Sequence, residues 1–514
     1  MINDSAIKEV VISGQNLTVE QVVAVARYNA VVRLLPTNIV NIQKNWDALN
    51  QMMDDGQVMY GTNTGIGAFG NVILPKEQTI ELSYRMVRAH ASAVGEPAPL
   101  EICRAALVLR LNVLVKGYSG IRPIIAETIV AMLNKQVTPV IYDKGSVGTS
   151  GDLAPLSQMA LVVFGEGEAW YKGERLPGLE AMTKAGIEPV KLMYREGLAL
   201  INGTQFMTAY GCINLYEAQR LIKNSEISAA MTIDALNCVE LAYDKRYQDV
   251  RPFQGQSDSA ENLRLLLKGS EILKQPKLNI QNAYSLRCTP QVLGACRDTM
   301  DYARRQLEIE INACVDNPIY LTDEKVCLTG GNFHGEPIGF VMDFLGIAMS
   351  EVANISERRT NNLLDPALSG GLPAFLVGGQ GLNSGLMIAQ YSQAALVSEN
   401  KILASPASVD SIPVSANQED HVSMGTIAAR KCLEIIKNAQ QVIAIEYLVA
   451  AQAFEWRLPL SPSLANSSAY QVVRSVSPKI EDDRPYYVDI ESVTKIVRDY
   501  SVIIAVEKSV GILK

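Results

Sequence analysis

The stretch Gly145-Ser146-Val147-Gly148-Thr149-Ser150-Gly151-Asp152-Leu153-Ala154-Pro155 governs how the rest of this chain is read. A small residue followed by Ser, Gly and Asp can build an electrophile from its own backbone. The Gly151 nitrogen attacks the Thr149 carbonyl carbon. Loss of two waters then closes a five-membered imidazolone whose exocyclic methylene comes from Ser150. Glycine is needed at 151 because a side chain blocks the closure, and the flanking glycines permit strained backbone. Ser-Gly-Asp is also a common string. Taken alone, the stretch also reads as a glycine-rich loop without chemistry, so the decision passes to the rest of the sequence.

The chain has 514 residues, 48 % hydrophobic and 19 % charged. That length suits roughly two or three domains, or one elongated helical body with an N-terminal cap. The composition supplies a large core and argues against disorder. Lys and Arg number 46 against 54 Asp and Glu, a net charge of −8. A nucleic-acid partner calls for a basic stripe, so that class is set aside. None of the eight cysteines sits in a Cys-x-x-Cys pair. They read as free thiols of a reducing, cytoplasmic setting. No basic start followed by an apolar run marks a signal peptide. The longest apolar region, Ala439 to Phe454, is short and interrupted by Glu446. It predicts a core helix rather than a membrane span. No His, Cys, Asp and Glu spacing resembles a zinc site, so no metal is expected.

The pattern changes along the chain. Val10-Val11-Ile12 and Val58-Met59-Tyr60 predict short strands, Glu168 to Arg175 a hairpin, and Gly61 to Gly70, with four glycines, a loop. From about Thr204 onward, small and apolar residues recur at three and four positions. This predicts long helices over Thr204–Tyr243, Pro290–Ala313, Pro337–Leu364, Leu382–Ala404 and Ile427–Phe454. The expected fold is mainly α: a mixed N-terminal domain, 1–203, carrying the Gly145–Pro155 loop, and a long central helical bundle, 204–514.

Several further strings recur in a recognisable order. They are Tyr60-Gly61-Thr62-Asn63-Thr64-Gly65, Glu196-Gly197-Leu198-Ala199-Leu200-Ile201-Asn202-Gly203-Thr204 and Tyr284-Ser285-Leu286-Arg287-Cys288. Gly330-Gly331-Asn332-Phe333-His334-Gly335 and Ser415-Ala416-Asn417-Gln418-Glu419-Asp420-His421 follow. With the Thr149-Ser150-Gly151 loop, they make the chain resemble the histidine and phenylalanine ammonia-lyase family from about Tyr60 to Glu455, nearest to its histidine-acting members. The resemblance implies a 4-methylidene-imidazol-5-one formed autocatalytically from Thr149-Ser150-Gly151, with no external cofactor. It implies a homotetramer whose active sites draw on more than one subunit, and a small aromatic amino acid as substrate.

The resemblance also implies roles. Tyr60 matches the base that takes a proton from the substrate Cβ; by composition alone it reads equally as a packing tyrosine. A phenol ordinarily titrates near about 10, so it needs help from helix N-termini or the electrophile. Arg287 matches the carboxylate-binding arginine, whose guanidinium fork suits a bidentate grip; most helical arginines are solvated charges. Tyr284 and Gln281 accompany it, and Asn202 and Phe333 match positions that contact electrophile or substrate. His90 matches a residue at the substrate imidazole, whereas His334 and His421 read as structural or supporting groups.

Glu419 bears most on the substrate. A carboxylate beside an imidazole accepts its N–H and holds one tautomer. Facing a phenyl ring, it is a desolvated, unpaired charge; its other reading is a helix-entry glutamate. With His90 it favours elimination of ammonia from L-histidine to give trans-urocanate, a step of histidine catabolism. The alternatives are a phenylalanine or tyrosine ammonia-lyase, an aromatic amino acid 2,3-aminomutase, and a non-catalytic helical scaffold. Departures from the histidine-acting pattern bear on substrate: Thr149 where most have Ala, Ile66 for Phe, Ala68 for Lys or Leu, Ala89 for Ser and Asn282 for Asp. Thr149 points toward the aminomutases, and Glu419 with His90 points away.

Overall fold

The computed structural model describes residues 6–514. Among them, nineteen α-helices accompany only short strands, so the fold is mainly α. The longest stretches expected to be helical are helical, and five helices bear on the site. These are α1 (Lys76–His90), α2 (Leu153–Val163), α3 (Gln205–Ala235), α4 (Glu336–Leu364) and α5 (Gly425–Glu455). Two compact units interleave along the chain. The first runs to Tyr216 and takes in Arg304–Asp343 and Pro406–Arg430. The second comprises Glu217–Ala303, Phe344–Ser405 and Lys431–Lys514.

In the first unit the strands are short and local. Glu9–Ile12 pairs in parallel with Val31–Leu34. Glu168–Tyr171 and Glu174–Pro177 form the expected hairpin. Val94–Pro97 pairs antiparallel with Tyr142–Lys144, which sets the segment after His90 beside the one that enters the Gly145 loop. The strand expected at Val58-Met59-Tyr60 is absent. The Asn63 side chain accepts from Met59 N at 2.7 Å, and Met59 O accepts from Thr62 N and Asn63 N. A side chain that captures backbone in this way favours a turn over a ladder. Met59 is then buried with Trp46, Leu49, Met52, Tyr194 and Tyr320.

The second unit is wholly helical packing. Glu446, the residue that interrupts the apolar run of α5, is fully buried and salt-bridged to buried Arg359 at 2.6 Å. Ser228, Thr232 and Ser356 hydroxyls complete its shell. A buried carboxylate is tolerated when paired and hydrogen-bonded in this way. One expected helix ends early and another begins late. Asn237 in the left-handed conformation (φ +53°) follows the end of α3. The helix Met387–Leu403 begins after left-handed Gly385 (φ +58°), five residues later than the periodicity predicts. Helix α4 is long and apolar enough by length and composition to cross a membrane, and 67 % of its most apolar window is buried inside the protein.

Candidate active site

Four helix N-termini meet the Gly145–Pro155 loop in the first unit. Asp152 is the N-cap of α2. Its Oδ2 accepts from Phe206 N (3.0 Å) and Met207 N (2.8 Å), in the first turn of α3. Its Oδ1 accepts from Ser146 Oγ (2.7 Å) and from Thr426 Oγ1 at the start of α5. Gly335 N, just before α4, donates to Gly148 O at 3.0 Å, and Met424 N, just before α5, donates to Val147 O at 2.9 Å. Ser423 Oγ supplies Gly148 O with a second donor at 2.9 Å. The positive ends of four helices therefore gather on one loop, where they favour any negative charge that develops. Burial pushes the Asp152 carboxyl above its ordinary range against those four hydrogen bonds, which favour its charged form.

Gly151 has φ +67° and forms a parallel bridge with Gly203. A Cβ there would lie 1.9 Å from Gly203 O, so no other residue fits. Asp152 N donates to Gly203 O at 2.8 Å and locks the approach. Thr149 is buried and Ser150 half-buried.

Behind the loop, a buried Arg–Asp–Arg cluster sets the position of Asn202. The Arg110 guanidinium donates to the carbonyls of Asn202 and Ala199, at the end of the short helix Glu196–Ile201. Arg110 also reaches Asp316 Oδ2 at 3.2 Å, while Arg195 holds Asp316 Oδ1 at 2.8 Å. The Arg195 guanidinium lies over the Tyr320 ring, 5.5 Å from its centre, and the Tyr320 hydroxyl meets that of Thr62. All three charged side chains are fully buried. The Asp316→Ala variant therefore leaves two buried cations without an anionic partner. It is expected to lose about 3–5 kcal/mol of stability, measured by denaturant unfolding; a loss below 1 kcal/mol contradicts the role given to this cluster.

Asn202 is itself buried, and its Oδ1 has no hydrogen-bond partner. Tyr60 opens the Gly61–Gly70 loop, and its phenol oxygen accepts from Gly67 N at 2.8 Å. Burial pushes the Tyr60 phenol above its ordinary range. The Gly67 amide pulls it down, and the charge of Glu419 pushes it up again. Glu419 stands at the loop: Thr149 Oγ1 donates to its Oε2, and Ser150 Oγ lies 3.4 Å from its Oε1. The turn that delivers it is strained. Ser415, Ala416 and Asn417 are consecutive left-handed residues (φ +54°, +54° and +66°), closed by the Val414–Glu419 bridge. Such strain gathers where surrounding structure over-determines a functional group.

His90 ends α1, half-buried, with Nδ1 bonded to Met86 O at 2.7 Å. A carbonyl only accepts, so Nδ1 is the donor in that contact. Phe333 is half-buried in the segment that Gly335 ties to Gly148. His334 and His421 stack with ring centres 5.8 Å apart and planes 8° apart, and His334 Nδ1 accepts from Glu336 N at 3.3 Å. The two rings are packed against each other.

In the second unit, Arg287 donates to Gln281 Oε1 at 2.7 Å, and its guanidinium lies 4.5 Å from the centre of the Tyr284 ring. Its Nε is buried without a partner. Tyr284 is 71 % exposed, and nearby Leu278 and Ile280 are 76 % and 95 % exposed. Asn282 bonds Val239 through both amide atoms (3.1 and 3.3 Å) and so fixes the segment that carries this cluster.

Sequence reasoning missed Arg110, Arg195, Ser423, Thr426 and the left-handed turn. Asp152 is visible in the sequence only as part of the Gly145–Pro155 stretch. No spacing signals such partners, because they come from distant segments: Thr426 lies 274 residues from Asp152.

Residues 17–475 match the sequence profile of the aromatic amino acid lyases. A histidine ammonia-lyase of Caldanaerobacter subterraneus subsp. tengcongensis is 50 % identical over 492 residues, covering 96 % of this chain and 97 % of that protein. The solved histidine ammonia-lyase of Trypanosoma cruzi is similar with a TM-score of 0.91 at 39 % identity, covering 98 % of this chain and 96 % of that one. Tyrosine aminomutase of Streptomyces globisporus gives 0.94 at 37 % identity, covering 98 % and 100 %.

Proposed function

Because this chain belongs to the aromatic amino acid lyase family and is a carbon–nitrogen lyase, we propose that it eliminates ammonia from L-histidine to give trans-urocanate. The observation that carries this reading is Glu419, a carboxylate held directly against Thr149 and Ser150. An N–H-bearing ring satisfies it, and a phenyl ring does not.

The residues present fit a 4-methylidene-imidazol-5-one built from Thr149-Ser150-Gly151. Asn202 Oδ1 is a buried acceptor without a partner, and Gly151 occupies a place that no Cβ can enter. When formed, that ring supplies an electrophilic methylidene carbon for the substrate's α-amine. The four helix N-termini and Asn202 surround and orient it. Arg287, braced by Gln281 and Tyr284, grips the substrate carboxylate. Glu419 accepts the imidazole N–H, His90 contributes at the same ring, and Phe333 lines its approach. Tyr60 removes the β-proton at its phenol oxygen. Fixing carboxylate and ring together aims that proton at Tyr60.

The exposure of Leu278, Ile280 and Tyr284 supports a homotetramer in which one subunit completes another's site, since an apolar run of that kind calls for cover. A cytoplasmic enzyme of histidine catabolism suits the thiols. Burial pushes Cys103, Cys238 and Cys296 up to about 12, which keeps them unreactive.

A second reading, a 2,3-aminomutase on the same scaffold, draws support from the likeness to tyrosine aminomutase. Incubation with L-histidine, L-phenylalanine and L-tyrosine in parallel separates the readings. Urocanate and ammonia from histidine alone support the first. A β-amino acid supports the second, and cinnamate or coumarate moves the substrate to phenylalanine or tyrosine.

A further inference from the structure

Glu419 meets the loop through both carboxylate oxygens, and the two contacts have different fates. Its Oε2 accepts from Thr149 Oγ1, and its Oε1 faces Ser150 Oγ at 3.4 Å. Ring closure joins Gly151 N to the Thr149 carbonyl carbon. The first water takes the Thr149 carbonyl oxygen with the amide hydrogens of Ser150 and Gly151. The second takes Ser150 Oγ with its own hydrogen and the Ser150 Cα hydrogen. Thr149 Oγ1 belongs to neither. Maturation therefore strips the neighbour from Oε1 and leaves the one on Oε2 in place.

We infer that Thr149 is a positioning residue for substrate recognition: its hydroxyl tethers one oxygen of Glu419 while dehydration of Ser150 clears the other to accept a ring N–H. The inference rests on the histidine reading above and adds the device that aims its key carboxylate. A glutamate side chain has several rotatable bonds, and holding one in a single geometry costs conformational entropy. Here both ends are held before substrate arrives. The backbone is fixed by the Val414 N to Glu419 O bond (3.0 Å) and its return from Glu419 N (3.3 Å). The head is fixed by buried Thr149. Preorganisation of this kind strengthens binding without adding a contact to the ligand. It also makes residue 149 matter for ligands with a ring N–H and not for those without.

The test compares wild type with Thr149→Ala, Thr149→Val and Thr149→Ser, using imidazolepropionate and phenylpropionate as unreactive probes in calorimetry. Peptide mass reads the two-water deficit, and thermal melting reads folding. The Ala and Val variants are expected to carry the deficit and to bind imidazolepropionate about tenfold or more weakly, the scale of one charge-assisted hydrogen bond. Their affinity for phenylpropionate stays put. Thr149→Ser restores the imidazolepropionate affinity, and Thr149→Ala made on Glu419→Gln costs nothing further. Wild-type affinity for imidazolepropionate in both hydroxyl-free variants overturns the inference, as does an equal loss for both probes. Failure of the histidine reading looks different: wild-type protein carrying the deficit would itself bind phenylpropionate as well as imidazolepropionate.

Discussion

Ser150→Ala gives a folded protein with no ring and with turnover of L-histidine reduced on the order of 10³-fold or more. Alanine matches serine closely in size, and the Ser150 hydroxyl has only the 3.4 Å approach to Glu419 to lose. The scaffold of the loop lies elsewhere, in the Asp152 carboxylate and the amides of Met207, Gly335 and Met424. Stability therefore stays near wild type. The chemistry does not, because no other atom of the loop can become the methylidene carbon. Three readouts move together: near-ultraviolet absorbance of the ring, the two-water mass deficit and urocanate formation. Full activity in a variant that has lost the absorbance would sink the proposed electrophile.

Tyr60→Phe is the second large effect, and it separates base from electrophile. Removing one oxygen leaves the ring and the Glu419 contact in place, so absorbance and mass deficit persist. Loss of a positioned general base costs about 10²–10⁴-fold in kcat, with KM changed little. The pH dependence carries a sign. Burial and the Glu419 charge push the Tyr60 phenol above its ordinary range. The active form is the deprotonated one, so its fraction rises as pH climbs toward that raised value. Wild-type kcat is expected to rise on the alkaline side, and Phe at 60 removes that limb. A variant that keeps both the wild-type kcat and the alkaline limb would assign the base elsewhere.

Much of this was legible in the sequence, for reasons specific to each element. Thr149-Ser150-Gly151 could be singled out because the proposed ring needs only adjacent atoms of one backbone, with the other family strings deciding against a plain glycine-rich loop. The long helices announce themselves by apolar spacing, and Glu446 shows that one charge in an apolar run marks a buried partner. The strand expected at Val58–Tyr60 failed because the Asn63 side chain intercepts the Met59 amide, an event that alternation of side chains does not encode. Local capping also overrode periodicity at Asn237 and Gly385. The Arg110–Asp316–Arg195 cluster stayed hidden for another reason. Its members are 121 and 206 residues apart, and only folding defines their partnership. The strained turn at Ser415–Asn417 could not be read either, since serine and alanine seldom adopt left-handed backbone.

The gathering of four helix starts on one loop also acts as a clock. In an unfolded chain Ser150 is an ordinary serine, inert toward amines and thiols. The surroundings that bend the loop arrive from Gly335 and from Ser423, the latter 275 residues downstream of Gly148. On the proposed chemistry the electrophile is therefore born late, after nearly the whole polypeptide has been synthesised and packed. A stalled or misassembled molecule carries no reactive group to damage its neighbours. In a newly synthesised chain, near-ultraviolet absorbance should trail the appearance of helical circular dichroism. Simultaneous appearance of the two signals in that new chain would place ring closure before folding is complete. On that proposal, possession of the ring becomes a covalent certificate that the chain has reached its native state.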